Sequence, residues 1–201
     1  NATVCIPGEG GCMTVISSTQ NPTKTQCIVA QVLGVPKSKV ICKCKRMGGG
    51  FGGKETRNVF ISTVIAVAAQ KLRRPVRIML ERDTDMMITG QRHPFLAKFR
   101  AGAMRDGKLT ALDVTLYSNG GCTMDLSKPV MERAMFHVDN AYYFPVIRVS
   151  GFIAKTNLPS NTAFRGFGGP QGIFVGECIM DTIAEKLSMD PSVVRRMNMY
   201  Q

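Results

Sequence analysis

Residues 46–55 constrain the fold more than any other stretch, because glycine fills five of the six positions from 48 to 53. A glycine has no Cβ, so its backbone can adopt positive φ angles and approach a ligand closely. Such a loop between a strand-like and a helix-like segment can turn backbone N–H groups towards an anion or a cofactor. We therefore expect a ligand-binding loop at this point.

A second stretch, residues 164–170, has a similar composition. Phe164 and Phe167 stand among glycines, and Pro170 then opens a helix-like segment. Two loops of this kind in one chain predict two walls of one pocket.

The net charge of +12, from 26 basic and 14 acidic residues among 201, raises the question of nucleic-acid binding. The basic residues are scattered, however, and no aromatic residues interleave with them as a stacking platform would require. An exposed basic surface, or one covered by acidic domains of a larger protein, is the better interpretation. We expect neither a nucleic-acid partner nor a membrane partner.

The seven cysteines follow no zinc or iron–sulfur spacing, and free thiols in a reducing compartment are the expected state. No signal peptide or long apolar segment is present. These features predict a cytoplasmic protein, with the peroxisome as the alternative compartment. Because the chain starts at Asn1 and ends in a helix-like segment, we expect it to be a piece of something larger.

Hydrophobic periodicity and turn signals predict a mixture of strands and helices without strict alternation, which is typical of an α+β fold. Asn21 and Pro22 mark the start of a helix that stops at Gly34. Asp106 and Gly107 mark a hairpin. The predicted strands are two around residues 7–11, then 39–47, 74–81, 95–103, 112–116 and 146–155. The predicted helices are 22–33, a central 59–72, a turn at 130–136, 170–187 and a short one after Asp190.

The candidate polar groups of the pocket are Glu55, Arg133 and Arg165. The first two also have a purely structural interpretation, which periodicity alone favours: Glu55 at a helix N-terminus, Arg133 in an ion pair with Glu132. The phenylalanines Phe51, Phe164 and Phe167 could likewise fill a core. The residues by themselves therefore indicate a pocket for an anionic cofactor or a substrate and go no further.

Several long motifs, taken together, resemble the molybdenum-binding portion of the xanthine dehydrogenase/aldehyde oxidase family. They are residues 48–55, 157–168 and 18–21, and residues 90–95 and 131–140 match as well. The resemblance covers essentially the whole chain. It implies that residues 1–201 are a fragment of the molybdenum cofactor- and substrate-binding domain.

The resemblance also implies individual cofactor contacts. Gln20 would hydrogen-bond an oxygen ligand of the molybdenum centre, and the backbone around Phe51 and Arg165 would touch these ligands and the pterin. The other cofactor-binding residues that it implies are Gly50, Ala163 and Phe164. The pterin dithiolene holds the metal in this family, so Gln20, Phe51 and Arg165 would contact the centre without ligating it.

For the substrate, the resemblance implies that Glu55 and Arg133 hold a purine by its polar edges while Phe167 stacks on the ring. An arginine facing the ring stabilises developing negative charge, and stacking fixes the plane of the reaction. Aldehyde oxidases typically carry apolar residues at both polar positions, so the pair implies the xanthine-oxidising branch. Pro129 departs from that branch, which often has a small polar residue there.

The implied reaction is oxidation of hypoxanthine and xanthine to urate with oxygen from water. Electrons would pass through 2Fe–2S clusters and FAD to NAD or oxygen, all bound elsewhere in a homodimeric parent. The family's base, a glutamate in a Gly-Glu-Pro context, is absent from this sequence, so no catalytic residue is assigned and the fragment alone is expected to be inactive. The alternatives are an aldehyde oxidase of broad specificity and, from another class, a basic module that binds polyanions.

Overall fold

The computed structural model describes residues 1–200 and confirms the α+β class. The chain forms two compact units, one of residues 1–91 with 162–165 and the other of residues 92–161 with those from 166 onwards. The elements of the first unit are β1 (Ala2–Pro7), β2 (Met13–Ser17), α1 (Pro22–Leu33), β3 (Val40–Lys43), α2 (Val59–Leu72), β4 (Val76–Met79) and α3 (Arg82–Ile88). The elements of the second are β5 (Phe95–Ala103), β6 (Leu109–Gly121), α4 (Ser127–Met135), β7 (Val146–Lys155), α5 (Gly169–Leu187) and α6 (Pro191–Met197).

The first unit is built on a four-stranded sheet in the order β3-β2-β1-β4. Strand β1 is antiparallel to both of its neighbours, whereas β3 runs parallel to β2. Helices α1 and α2 pack together against this sheet. Its core consists of Cys5, Met13, Val15, Val29, Ala30, Val40, Ile65, Ala66 and Ala69.

Helix α1 begins and ends as the sequence predicts. The Asn21 side chain accepts a hydrogen bond from the Lys24 N–H at 2.9 Å, and Pro22 occupies the first helical position. Gly34 adopts a left-handed conformation and ends the helix. The helix therefore starts immediately after Gln20 and Asn21, which places Gln20 in a short connection anchored at both ends.

Helix α2 has the predicted bounds but is less buried than its composition suggests. Ser62, Ile65 and Ala69 lie on the buried face, whereas Val64 is 65% exposed and Val67 42% exposed. The prediction of a central helix therefore does not hold for the side of α2 that carries Val64 and Val67. Periodicity could not reveal this, because both faces of the helix are apolar.

Two other differences from the predicted elements occur in this unit. Helix α3 was not predicted, because its seven residues contain two aspartates and too few apolar positions for a periodic signal. The predicted strand 39–47 is shorter in the structure and ends at Lys43, so residues 44–47 form an irregular approach to the glycine loop.

The second unit contains a three-stranded sheet in the order β5-β6-β7. The predicted hairpin joins β5 and β6, with Gly107 at φ 95° in the turn. Strand β7 returns parallel to β6 after the helix α4. The core between the sheet and the helices includes Leu112, Val114, Leu116, Met131, Ala134, Val138, Ile179 and Met180.

Helices α4 and α5 approach each other closely along a row of glycines. A Cβ added at Gly172 would lie 2.2 Å from the Ala134 carbonyl oxygen, and one at Gly168 would lie 2.1 Å from that of Val130. Only glycine permits this separation. The loop at residues 166–169 is thereby held against the helix that carries Arg133.

Candidate functional site

The glycine loop of the first unit holds the Gln20 side chain. The Gln20 Oε1 atom accepts hydrogen bonds from the backbone N–H groups of Gly52, at 2.8 Å, and of Lys54, at 3.2 Å. Because a carboxamide oxygen accepts and its nitrogen donates, these two bonds fix the orientation of the amide. The exposed Gln20 side chain therefore presents its NH₂ group as a fixed donor.

Two glycines of the loop are required by close packing. A Cβ at Gly50 would lie 2.5 Å from Gln20 Oε1, and one at Gly52 would lie 2.6 Å from the Ala163 carbonyl oxygen. Gly52 also has φ 95°. The structure thus brings Gln20, Gly50 and Ala163, all predicted cofactor-binding residues, to one place.

Phe51, at the tip of this loop, is a surface residue with a strained backbone. It has φ 49°, which is uncommon for a residue with a bulky side chain, and it is 65% exposed. Phe164 is also exposed, at 42%. Neither phenylalanine fills a core, so the structural interpretation of these residues was wrong. Strained, exposed residues of this kind concentrate at ligand-binding sites.

A cavity of about 450 Å³ opens beside the loop. Its lining includes Gly49, Gly50, Phe51, Lys54 and Phe164, all within the first unit. A volume of this size is suitable for a small-molecule ligand. The wall combines glycine backbone, the cations of Lys54 and Arg82 and two aromatic rings, and its one carboxylate, Asp85, is already paired with the Asn1 amino group. This combination fits a flat, oxygen-rich anionic group.

Glu55 follows the loop directly and is available for ligand binding. Its N–H donates to the Gly52 carbonyl at 3.1 Å, which closes a tight turn. Glu55 does not lie at a helix N-terminus, because α2 begins at Val59 and its first turn includes no acidic residue. Within residues 1–200, none of the ion pairs involves the Glu55 carboxylate.

Arg133 and Phe167 belong to the second unit, where they lie on neighbouring elements. Arg133 is exposed on α4, and its carbonyl accepts a hydrogen bond from His137 Nδ1 at 2.8 Å. A Cβ at Gly169 would lie 4.0 Å from Arg133 Nε, so the 166–169 loop reaches the arginine. Phe167, at φ 51° and only partly buried, stands in that loop.

The alternative interpretation of Arg133 as the ion-pair partner of Glu132 was wrong. Glu132 instead contacts Lys128, at 3.9 Å, one turn earlier on the helix. In the part of the chain that the structure describes, no carboxylate pairs with the Arg133 guanidinium. An exposed arginine of this kind is free to recognise a ligand.

A buried histidine anchors the start of the same helix. His93 Nε2 and Ser127 Oγ are 2.8 Å apart, and both residues are almost fully buried. Burial lowers the pKa of His93, against an opposing effect of the charge on Asp125, so the ring is neutral near pH 7. This contact fixes the N-terminus of α4, the helix whose last turn carries Arg133.

Sequence reasoning missed one residue of this region. Lys54 was read only as part of a motif, yet its Nζ donates to Ser18 Oγ at 2.8 Å and its carbonyl accepts from the Gln20 N–H at 2.8 Å. No local pattern reveals contacts between positions so far apart in the sequence. The only available signal was its place next to the last glycine of the loop.

The described residues contain no group of three or more His, Cys, Asp or Glu side chains that could hold a metal ion. None of the helices in residues 1–200 is long and apolar enough to cross a bilayer. All seven cysteines are free. Burial, with a smaller contribution from Cys42, raises the pKa of Cys5 to about 12, so this thiol stays protonated and inert.

The loop, the fixed carboxamide and the fold define a class of cofactor-binding domain. The family described as "Molybdopterin cofactor-binding domain" matches residues 1–199. The chain belongs to this family, and the resemblance in its motifs is confirmed at that level.

The curated relatives are more specific. The chain is 57% identical over 202 residues to "Xanthine dehydrogenase/oxidase" of Rattus norvegicus, covering 100% of this chain and 15% of that protein. It is 53% identical over 201 residues to "Xanthine dehydrogenase" of Dictyostelium discoideum, again with 100% and 15% coverage. The chain therefore spans about 15% of the length of these relatives.

Solved structures share the fold over the full length of the chain. The aldehyde oxidoreductase from Desulfovibrio gigas is similar with a TM-score of 0.87 and 29% identity, covering 100% of this chain and 22% of that one. The CO dehydrogenase from Oligotropha carboxidovorans gives a TM-score of 0.87 at 24% identity, with 100% and 25% coverage. At that lower identity the likeness concerns the fold alone.

Proposed function

We propose that this chain forms one wall of the molybdenum cofactor and purine site of a xanthine-oxidising molybdenum hydroxylase. The observation that carries the proposal is the Gln20 carboxamide, whose oxygen is fixed by Gly52 and Lys54 so that its NH₂ group points outward. A fixed donor beside exposed loop amides suits an oxygen ligand of the metal centre. The sequence identity to xanthine dehydrogenases, 57% and 53%, supports the xanthine-oxidising branch of the family.

The molybdopterin would supply the metal and accept electrons from the substrate. Gln20 would orient it by donating a hydrogen bond, and the backbone at Gly50 and Phe51 would allow its close approach. Ala163, packed on Gly52, would close the base of the same slot. Phe164 and Arg165 continue from Ala163 and would line its edge.

Glu55, Arg133 and Phe167 would bind the purine. The Glu55 carboxylate would accept hydrogen bonds from ring N–H groups, and Arg133 would donate to a polar edge of the ring and stabilise negative charge that develops on it. Phe167 would stack on the ring and exclude water from its face. Within residues 1–200, neither the Glu55 carboxylate nor the Arg133 guanidinium belongs to an ion pair. Both groups therefore keep their hydrogen-bonding capacity for a ligand, which supports these roles.

We further propose that the whole protein uses water as the oxygen source and converts hypoxanthine and xanthine to urate. It would carry 2Fe–2S clusters and FAD, transfer electrons to NAD or oxygen, and act as a cytoplasmic homodimer. The glutamate base, the clusters and the flavin would be supplied outside these 201 residues. The chain alone is accordingly expected to be inactive.

The test is to purify the full-length protein, quantify molybdenum and pterin, and measure oxidation of xanthine and of an aromatic aldehyde. Molybdenum with fast urate formation supports the proposal. Molybdenum with aldehyde oxidation alone favours the second candidate, an aldehyde oxidase, for which the likeness to the Desulfovibrio enzyme is the supporting observation. A metal-free protein with strongly salt-dependent affinity for nucleic acid contradicts both.

A further inference from the structure

Lys54 is joined to the connection before α1 by both its backbone and its side chain. Its N–H donates to Gln20 Oε1 at 3.2 Å, and its carbonyl accepts from the Gln20 N–H at 2.8 Å and from Thr19 Oγ1 at 3.4 Å. Its Nζ turns back to donate to Ser18 Oγ at 2.8 Å. The ammonium group is therefore held in one place, although a lysine side chain is otherwise flexible.

This fixed cation carries an unneutralised charge beside the cavity. Lys54 lines the 450 Å³ cavity together with Gly49, Gly50, Arg82 and Asp85, and the Asp85 carboxylate is already paired with the Asn1 amino group. Throughout residues 1–200, no ion pair includes its ammonium group; the only side-chain partner is the neutral Ser18 hydroxyl. A positive charge that has no counter-ion and is partly shielded from water attracts negative charge in the adjoining space.

We propose that Lys54 is a positioning and electrostatic residue of the cofactor site. Its backbone N–H holds the Gln20 carboxamide in place, and its ammonium group, positioned by Ser18, supplies positive charge that favours the more negatively charged, reduced form of the group bound next to it. This inference rests on the proposed function. It predicts that loss of the ammonium charge shifts the midpoint potential of the molybdenum centre to a more negative value.

The experiment is a potentiometric titration of the full-length protein, with the molybdenum signal followed by electron paramagnetic resonance. Lys54→Met removes the charge and keeps most of the side-chain volume, whereas Lys54→Arg keeps the charge. Ser18→Ala keeps the charge but releases the ammonium group. We expect a negative shift for Lys54→Met, a smaller one for Ser18→Ala, and little change for Lys54→Arg. Molybdenum content is measured for every variant.

A molybdenum-loaded Lys54→Met protein with the wild-type midpoint potential overturns the role of Lys54 and leaves the proposed function standing. Loss of molybdenum in Lys54→Met but not in Lys54→Arg supports the role, since only the charge then separates the two proteins. Loss of molybdenum in both Lys54→Met and Lys54→Arg overturns the electrostatic role of Lys54, because a purely structural requirement for the lysine would explain that result. A wild-type protein without molybdenum contradicts the proposed function itself, and this inference with it.

Discussion

Gln20 Oε1 accepts a hydrogen bond from the Gly52 N–H at 2.8 Å, and this contact joins the start of α1 to the glycine loop. The bond determines which end of the carboxamide faces outward, because the oxygen is already occupied. The only strong donor that Gln20 can offer a ligand is therefore its NH₂ group. The proposed cofactor site depends on this orientation.

A Gln20→Glu variant tests that orientation. The carboxylate has nearly the same shape and still accepts from Gly52 and Lys54, so the loop is expected to keep its structure. It presents an anionic oxygen in place of the NH₂ donor, however, and would repel an oxygen ligand. We expect cofactor affinity in the full-length protein to fall by roughly 10–100-fold, the usual effect of losing a hydrogen bond to a ligand of the metal, as measured by molybdenum content.

The matched control is Gln31→Glu, the same substitution at an exposed position on α1. It introduces the same charge away from the loop and should leave molybdenum content unchanged. Full loading of Gln20→Glu would show that the carboxamide donor is not used.

Gly52→Ala is expected to destabilise the first unit. Its Cβ would lie 2.6 Å from the Ala163 carbonyl oxygen, in a backbone with φ 95°, so both the contact and the conformation are unfavourable. We expect a loss of about 1–3 kcal/mol, typical of a residue forced into a rare backbone conformation. Thermal unfolding of the purified chain measures it. Gly48→Ala is the control, because no atom lies within 4 Å of its added Cβ; equal melting temperatures for the two variants would contradict the packing described.

Acid should weaken the second unit through Glu177. Burial would raise the pKa of Glu177, but hydrogen bonds from Tyr142, Arg195 and Asn140 outweigh it and lower the pKa below its ordinary value. A carboxyl group with a depressed folded-state pKa contributes stability above its unfolded-state pKa of ~4.3 and loses it as the pH falls through the folded value. Unfolding by urea at pH 7 and at pH 3 should reveal this loss.

Glu177→Gln should therefore lower the free energy of unfolding by about 1 kcal/mol at pH 7 and have little effect at pH 3. The control is Glu185→Gln, on the exposed side of the same helix and outside every ion pair of the described residues. It should leave the free energy of unfolding unchanged at both pH 7 and pH 3. A Glu177→Gln effect that is the same at pH 7 and pH 3 would rule out the ionic contribution.

Local sequence signals predicted most of the elements because their causes are local. The Asn21 cap, the Gly34 stop and the Asp106–Gly107 turn each depend on neighbouring residues, and all three occur in the structure. Helix α3 was missed because a seven-residue segment with two aspartates has no clear apolar face. The parallel pairing of β6 with β7 could not be predicted, since a register between distant strands depends on what packs above them.

In the candidate site, too, the local features could be predicted from the sequence and the long-range contacts could not. The glycine composition predicted a ligand-binding loop, and the motif resemblance named Gln20 and Ala163. The contacts that hold the loop in place join distant positions: Gly52 with Ala163, and Lys54 with Ser18. These contacts follow from tertiary packing, so the role proposed for Lys54 became visible only in the structure.

The central claim is tested most directly by steady-state turnover in the full-length protein and its Arg133→Met variant, with xanthine and an aromatic aldehyde as substrates. Xanthine turnover should collapse while aldehyde turnover survives, because only the purine needs the guanidinium to bind its polar edge and stabilise its charge. Combining this variant with Glu55→Val should move the preference further towards aldehydes. Xanthine turnover that is unchanged in the Arg133→Met protein would contradict the proposed purine site.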